Sequence, residues 1–185
     1  MGMTLVIVVV AAVLVLWVIG MYNHLVRSRK QVDNAWAQID VQLKRRCDLI
    51  PNLVESVKGY AKHESGVFER VTAARTRAMA AVGGSAERIA AETELSGALK
   101  ALNVQVEAYP ELKANANFLQ LQEELSSTEN KIAFARQHYN DSATNFNTAI
   151  AVFPSNILAG MFHFQDAPLW QITDPAERAV PKVSF

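Results

Sequence analysis

With 185 residues, half of them hydrophobic, the chain has room for one domain and an appendage. Its 18 basic and 18 acidic side chains cancel, which argues against a dedicated nucleic-acid binder, since neutralising phosphates takes a basic excess. The single cysteine, Cys47, excludes an internal disulfide and is compatible with the cytosol.

Residues 3–22, MTLVIVVVAAVLVLWVIGMY, carry no charge. Roughly twenty helical residues rise about 30 Å, the hydrocarbon thickness of a bilayer. Met3, Leu5 and Val10 are therefore expected in lipid, with Trp17 and Tyr22 in the interfacial aromatic belt. A cleaved signal peptide is the alternative. The missing basic start, the long apolar run and the lack of a small-x-small site after it count against that reading. Acylation at Gly2 lacks its Ser or Thr, because Val6 stands there. Arg27, Arg29 and Lys30 follow the span while only the chain's own amine precedes it. The positive-inside rule then predicts a single pass with the N-terminus outside and the C-terminal part cytoplasmic.

From Trp36 the apolar residues step by three and four through Ile39 and Leu43, then Ile50, Val54, Val57 and on to Ala78, with polar interruptions at Arg46/Cys47 and Glu64. That period predicts a helix with a narrow packing seam from about residue 30 to 81. Pro51 interrupts it. A proline ring has no N–H, so the carbonyl of Cys47 needs another donor, such as an Arg or Lys from a neighbouring helix. Either the helix continues with a kink, the favoured reading, or it breaks at Asp48–Pro51 with Asp48 as N-cap, giving a compact four-helix up-and-down bundle. Val82-Gly83-Gly84-Ser85 ends the run. A shorter helix, capped by Ser85 and followed by Glu87 and Glu92, carries Ile89, Leu95, Leu99, Leu102 and Val106 as far as Tyr109-Pro110.

Asn115 or Asn117 caps a long third helix whose seam runs from Phe118 through Leu121, Leu125, Thr128/Glu129, Ile132, Ala135/Arg136, Tyr139, Phe146 and Ile150 to Phe153. Phe153-Pro154 stops it. An aromatic-rich segment, SNILAGMFHFQ, and a proline-rich tail follow. The fold class is all-α: a transmembrane helix, then an elongated coiled-coil-like bundle of three to four helices. Residues 1–26 form the anchor, 27–166 the bundle domain and 167–185 an irregular tail.

Three rods of such unequal length do not close on one another. Trp36, Ile39 and Leu43 near the membrane, and Phe146, Ile150 and Phe153 at the far end of the third helix, are expected to lack partners. Leaving them wet forfeits about 1.5–3 kcal/mol for each large side chain. Neighbouring copies are the expected cover, helped by confinement to a membrane plane. The polar positions Arg46, Cys47, Asp48, Pro51, Glu64, Glu129 and Arg136 read first as a kink and register key, with a hinge or a chemical site as alternatives. Acids of the bundle (Glu55, Asp48, Glu129) are the expected partners of Lys44, Arg45 and Arg46. Phe153, Ile157, Met161, Phe162 and Phe164 mark an interaction segment that either caps the bundle or touches lipid or a partner.

No catalytic, cofactor-binding or metal-ligating set emerges. The four histidines form neither HExxH nor Glu-x-x-His, Gly83-Gly84 lacks the Lys-Ser/Thr of a phosphate loop, and GxSxG is absent. Asn140-Asp141-Ser142 fits a glycosylation sequon but falls inside a predicted helix.

The span, the stretch Asp48-Leu49-Ile50-Pro51-Asn52-Leu53-Val54, the stretch FPSNILAGMFHF and the closing Pro181-Lys182-Val183-Ser184-Phe185 occur in an order that resembles the LemA family along nearly the whole chain. The resemblance implies a single-pass protein of the bacterial inner or plasma membrane with a cytoplasmic helical bundle, and no particular reaction. The expected function is a membrane-anchored, self-assembling scaffold without catalytic activity. The alternative is a monomeric or dimeric adaptor that docks a specific protein, an accessory to envelope stress or signalling; an enzyme subunit ranks third.

Overall fold

The computed structural model describes residues 1–59 and 65–171. Six helices occur there: α1 (Gly2–Lys58), α2 (Ser65–Ala80), α3 (Ala86–Val106), the single turn α4 (Pro110–Lys113), α5 (Ala116–Ala151) and α6 (Ser155–Met161). No strand occurs among the described residues.

α1 is one uninterrupted helix of 57 residues, about 85 Å long at 1.5 Å per residue. Its first part is exposed on every side, as a segment built to meet lipid should be: Met3, Leu5, Val10 and Trp17 touch no core. From Leu25 onward one stripe is buried, through Val32, Trp36, Ile39, Leu43, Arg46, Ile50, Leu53 and Val57. The apolar segment and the bundle thus share a single rod.

The helix continues through Pro51 but does not reach residue 81. It ends at Lys58, with Gly59 in the C-cap position. Lys58 in the last turn followed by Gly59 is a helix-stop signal in the sequence, although Gly59 itself keeps right-handed backbone angles of φ −61° and ψ −30°. The unbroken apolar period outweighed it in the sequence because α2 repeats the same period. α2 runs back beside α1: Arg75 meets Cys47, and Gly84 lies under Trp36. α3 then follows α1, with Arg88 at Asp40 and Glu92 at Arg46. α5 returns, bringing Glu129 to Arg46, Tyr139 to Trp36 and Phe146 to Arg29. The result is the four-helix up-and-down topology, with its reversal after Lys58 and not at Asp48–Pro51. Asp48 is an exposed residue inside α1 and caps nothing. Glu64 and residues 181–185 lie outside the described residues.

Caps sit where side-chain chemistry put them. Ser85 accepts from the backbone N–H of Arg88, and Asn115 from those of Asn117 and Phe118. Gly83 holds a left-handed φ of +63°, and a Cβ on Gly84 would stand 3.0 Å from the Trp36 ring. The glycine pair is a turn that also lets the chain pass over an indole.

The core has three parts. A distal cluster is shared by α1, α2, α3 and α5, around Ile50, Val71, Leu95, Leu102 and Phe118. A proximal cluster holds Val32, Trp36, Ile39, Leu43, Tyr139, Ala143, Phe146 and Trp170. A collar joins Leu25 to Leu158 and Ala159. The proximal cluster corrects the expectation of open seams. Trp36, Ile39, Leu43 and Phe146 are buried against one another, and Ile150 packs against them half-buried. What α2 and α3 are too short to cover is covered by residues 164–170. Phe153 does not belong to the seam at all: it is 79% exposed beyond the end of α5.

Candidate functional site

Halfway along the bundle, α1, α3 and α5 meet in a layer of charge. Arg46 is 1% exposed and Glu92 fully buried. The Arg46 guanidinium donates to both the carboxylate and, at 3.3 Å, the carbonyl of Glu92. It also donates to Glu129 and to the Ser96 hydroxyl, each at 2.8 Å. Arg88, one turn before Glu92, pairs with the second carboxylate oxygen of Glu92 at 2.8 Å. It donates to the carbonyl of Ala81 at 2.7 Å and reaches Asp40 at 3.4 Å. The buried trio Arg46, Arg88 and Glu92 carries one surplus positive charge. Glu129 and Asp40, at the rims with their carboxylates partly in water, more than offset it, one beside each guanidinium. Burial works to lower the Arg46 pKa, but Glu129 and Glu92 outweigh it and hold the guanidinium more firmly charged than in water.

Of the predicted register residues, the fold brings together Arg46, its neighbour Cys47 and Glu129. Asp48 and Pro51 face solvent on the same turns. Arg136 lies elsewhere, its guanidinium 5.2 Å from the centre of the Trp170 ring. Arg45 reaches Glu124 at 3.8 Å. Sequence reasoning missed Glu92 and Arg88. The signal exists, because Glu92 stands between Ile89 and Leu95 at seam spacing and Arg88 precedes it by four, but in the sequence Glu92 is named only as an acid following the Ser85 cap and Arg88 is not singled out.

One turn on, the Nε of Arg75 on α2 donates to the Cys47 carbonyl at 2.8 Å, the carbonyl that Pro51 leaves without a helical partner. A double-mutant cycle isolates this contact. Arg75→Ala alone should cost about 1–3 kcal/mol, the range for a buried acceptor stripped of its donor. In a Pro51→Ala background, which restores the N–H, the same change should cost about half a kcal/mol or less. Equal costs in both backgrounds would mean that Arg75 contributes by packing alone.

Cys47 itself is enclosed. Burial first, and Glu92 second, push its thiol pKa up, against the opposing pull of Arg46, Arg88 and Arg75. A group that holds its proton more tightly folded than unfolded loses stability as pH rises past its unfolded value, about 8.5 for a thiol. Cys47 should therefore react with a thiol reagent at pH 8 at least about a hundredfold more slowly in the native chain than in urea. Comparable rates would identify an exposed, activated thiol.

At the end of the bundle nearer the apolar start of α1, residues 164–170 lie as a strap along α5. Asn147 donates to the carbonyl of Ala167 at 2.9 Å and accepts from its N–H at 2.8 Å. Asn140 does the same for Trp170, at 2.9 and 2.8 Å. Two helical turns rise about 10.5 Å and three extended residues span about 10 Å, so the two amides meet the strap in register. The Tyr139 hydroxyl donates to the Pro168 carbonyl at 2.7 Å. Trp170 closes against Trp36, ring centres 6.0 Å apart. Asn140 is thus a structural clamp inside α5, its side-chain amide committed to the backbone of Trp170; nothing in the spacing 140/147 announces it without knowing where the tail lies.

The segment 153–164 divides its side chains. Leu158 and Ala159 are buried against Leu25 with Met21 beside them, Phe164 is half-buried, and the Phe162 ring packs tilted against Tyr22, ring centres 4.6 Å apart. Phe153, Ile157 and Met161 point outward. Elsewhere, Val41 and Phe134 stand exposed over a shallow groove between α1 and α5. Among the described residues no three His, Cys, Asp or Glu side chains converge as metal ligands do.

A family model described as the LemA family matches residues 35–185. The chain is 28% identical over 156 residues to Protein LemA of Metamycoplasma hominis, which covers 84% of this chain and 71% of that protein. It is 25% identical over 175 residues to Magnetosome protein MamQ 2 of Paramagnetospirillum magneticum, covering 81% and 64% respectively. Magnetosome protein MamQ of Magnetospirillum gryphiswaldense is 24% identical over 169 residues, with 78% and 62% covered. The chain thus spans less than two thirds of the length of these magnetosome proteins.

Proposed function

The chain belongs to the LemA family, and from that premise we propose that it is a membrane-anchored, non-catalytic scaffold that docks proteins along a rigid helical bundle. One observation carries the reading: α1 runs without a break from the apolar span to the far end of the bundle. Every protein bound to the bundle would stand at a fixed height above the bilayer and turn with the anchor. The buried polar groups support the same reading, since Arg46, Arg88 and Glu92 spend their charges on one another and hold three helices in register. None of these relatives' names indicates a reaction.

Arg27, Arg29 and Lys30 directly after the span favour a cytoplasmic bundle; the partial pairing of Arg29 and Lys30 with Asp33 does not weaken this, because acidic residues contribute little to the rule. Protease added to intact spheroplasts should leave the bundle whole, and cleavage would place it on the opposite side.

Self-assembly through open seams loses its basis, because Trp36, Leu43 and Phe146 are covered within one chain. A second reading, self-association, keeps one specific support in the exposed Val41 and Phe134. The mass of the full-length protein in mild detergent separates the two. A monomer or dimer, unaltered by Phe134→Glu, is the result expected of a docking scaffold. A large closed assembly that falls apart with Phe134→Glu would overturn it in favour of self-assembly.

A further inference from the structure

We propose that the segment 153–164 is a second contact with the bilayer, an interfacial foot whose outward apolar face rests in the headgroup region beside the transmembrane helix. The inference deepens the scaffold reading, on whose membrane anchoring it rests, by adding a point that fixes how the bundle is tilted.

Position carries the argument. Residues 3–22 are free of charge, and Tyr22 is the last of them. Phe162 packs on the Tyr22 ring at 4.6 Å, and Met21 lies against the Leu25, Leu158 and Ala159 cluster. The segment is therefore level with the end of the span. At this height the surroundings of a spanning helix are glycerol and headgroups, where aromatic and aliphatic side chains are at home.

Composition agrees with position. Residues 153–164 contain no Asp, Glu, Lys or Arg. One face is fixed to the collar through Leu158 and Ala159. The other presents Phe153, Ile157 and Met161 at 79, 56 and 68% exposure, with half of Phe162. A short uncharged segment with four large apolar side chains turned outward is out of place in water and well matched to the acyl boundary. Without cations it has no use for anionic lipid, so neutral phosphatidylcholine suffices. A water-soluble partner would have to approach this face through the headgroups, which makes the bilayer the better occupant.

The test uses the full chain in phosphatidylcholine vesicles. A nitroxide is placed in turn through Ile157→Cys or Met161→Cys, while native Cys47 is enclosed and stays unlabelled. Val10→Cys serves as the lipid reference and Phe134→Cys as the aqueous one. Collision with oxygen, which concentrates in lipid, is compared with collision with a water-soluble nickel chelate. Oxygen should dominate at 157 and 161 as it does at 10, opposite to 134, and adding anionic lipid should leave this unchanged. Nickel access at 157 and 161 equal to that at 134 would overturn the foot, and so would shielding from both reagents, which signals a second copy or another protein. Failure at 157 and 161 with position 10 still in lipid removes the foot alone. Failure at position 10 removes the anchoring and the scaffold reading with it.

Discussion

Replacing Glu92 by alanine should destabilise the bundle by about 3–5 kcal/mol, because two guanidinium groups, Arg46 and Arg88, would then remain largely dry with one rim carboxylate each. Against a total stability of about 5–15 kcal/mol that is a large part of the fold. The instructive comparison is the triple variant Arg46→Met, Arg88→Met, Glu92→Leu. Removing all three charges together also removes their desolvation cost, and such replacements are neutral or stabilising by about 1–4 kcal/mol elsewhere. Urea unfolding followed through Trp36 and Trp170 fluorescence measures both. A triple variant as weak as Glu92→Ala would show that the layer contributes net stability. If instead it is stable, distance measurements between spin labels on α1 and α3 address the register. Were α3 to slip by a heptad, Arg46 would face leucines, an error the charges forbid and methionine would tolerate. The distribution should broaden in the triple variant, and a single sharp distance would mean that packing alone sets the register.

Trp170→Ala should cost about 3–5 kcal/mol, the usual loss for a buried tryptophan, and the cost should fall on one end of the molecule. Trp170 covers Trp36 and lies under Arg136, while its backbone is tied to Asn140. Among the described residues no other element covers that side, since α2 ends at Ala80 and α3 begins at Ala86, beside Trp36 and Asp40. Asn147→Ala should act in the same direction and less strongly, by about 1–3 kcal/mol, because it leaves the N–H and C=O of Ala167 unpaired. Amide exchange locates the damage. Protection should fall in residues 29–43 and 135–150 and persist around Ile50, Leu99 and Phe118. Uniform loss along the chain would mean that strap and distal core form one cooperative unit.

Much of the architecture was legible from spacing. The uncharged run predicted a long apolar helix standing clear of the core, Ser85 and Asn115 announced helix starts, and seam periods over the first and third helices identified most of the buried residues. Pro51 told that the Cys47 carbonyl needs a donor. What went astray was long-range. The reversal after Lys58 was hidden because α2 resumes the apolar rhythm of α1, so that two antiparallel helices read as one rod. Taken as one rod, they make the helix lengths mismatch and leave Trp36 and Phe146 without cover. Glu92 escaped because an acid six residues into a helix is common, and only its meeting with Arg46 makes it a core residue.

By itself, then, the sequence determined which faces are apolar, where most helices start and stop, and that one segment suits a bilayer, because these follow from local periodicity, capping and length. Tertiary structure alone decided which faces meet. It selected Arg75 among the cations for the Cys47 carbonyl, joined Arg46 to Glu92 across 46 residues of chain, and laid an extended strap on two asparagines where no helix was left to pack. Such pairings depend on the height at which each helix turns back. No local pattern encodes that height; it is fixed when all the apolar stripes are buried together.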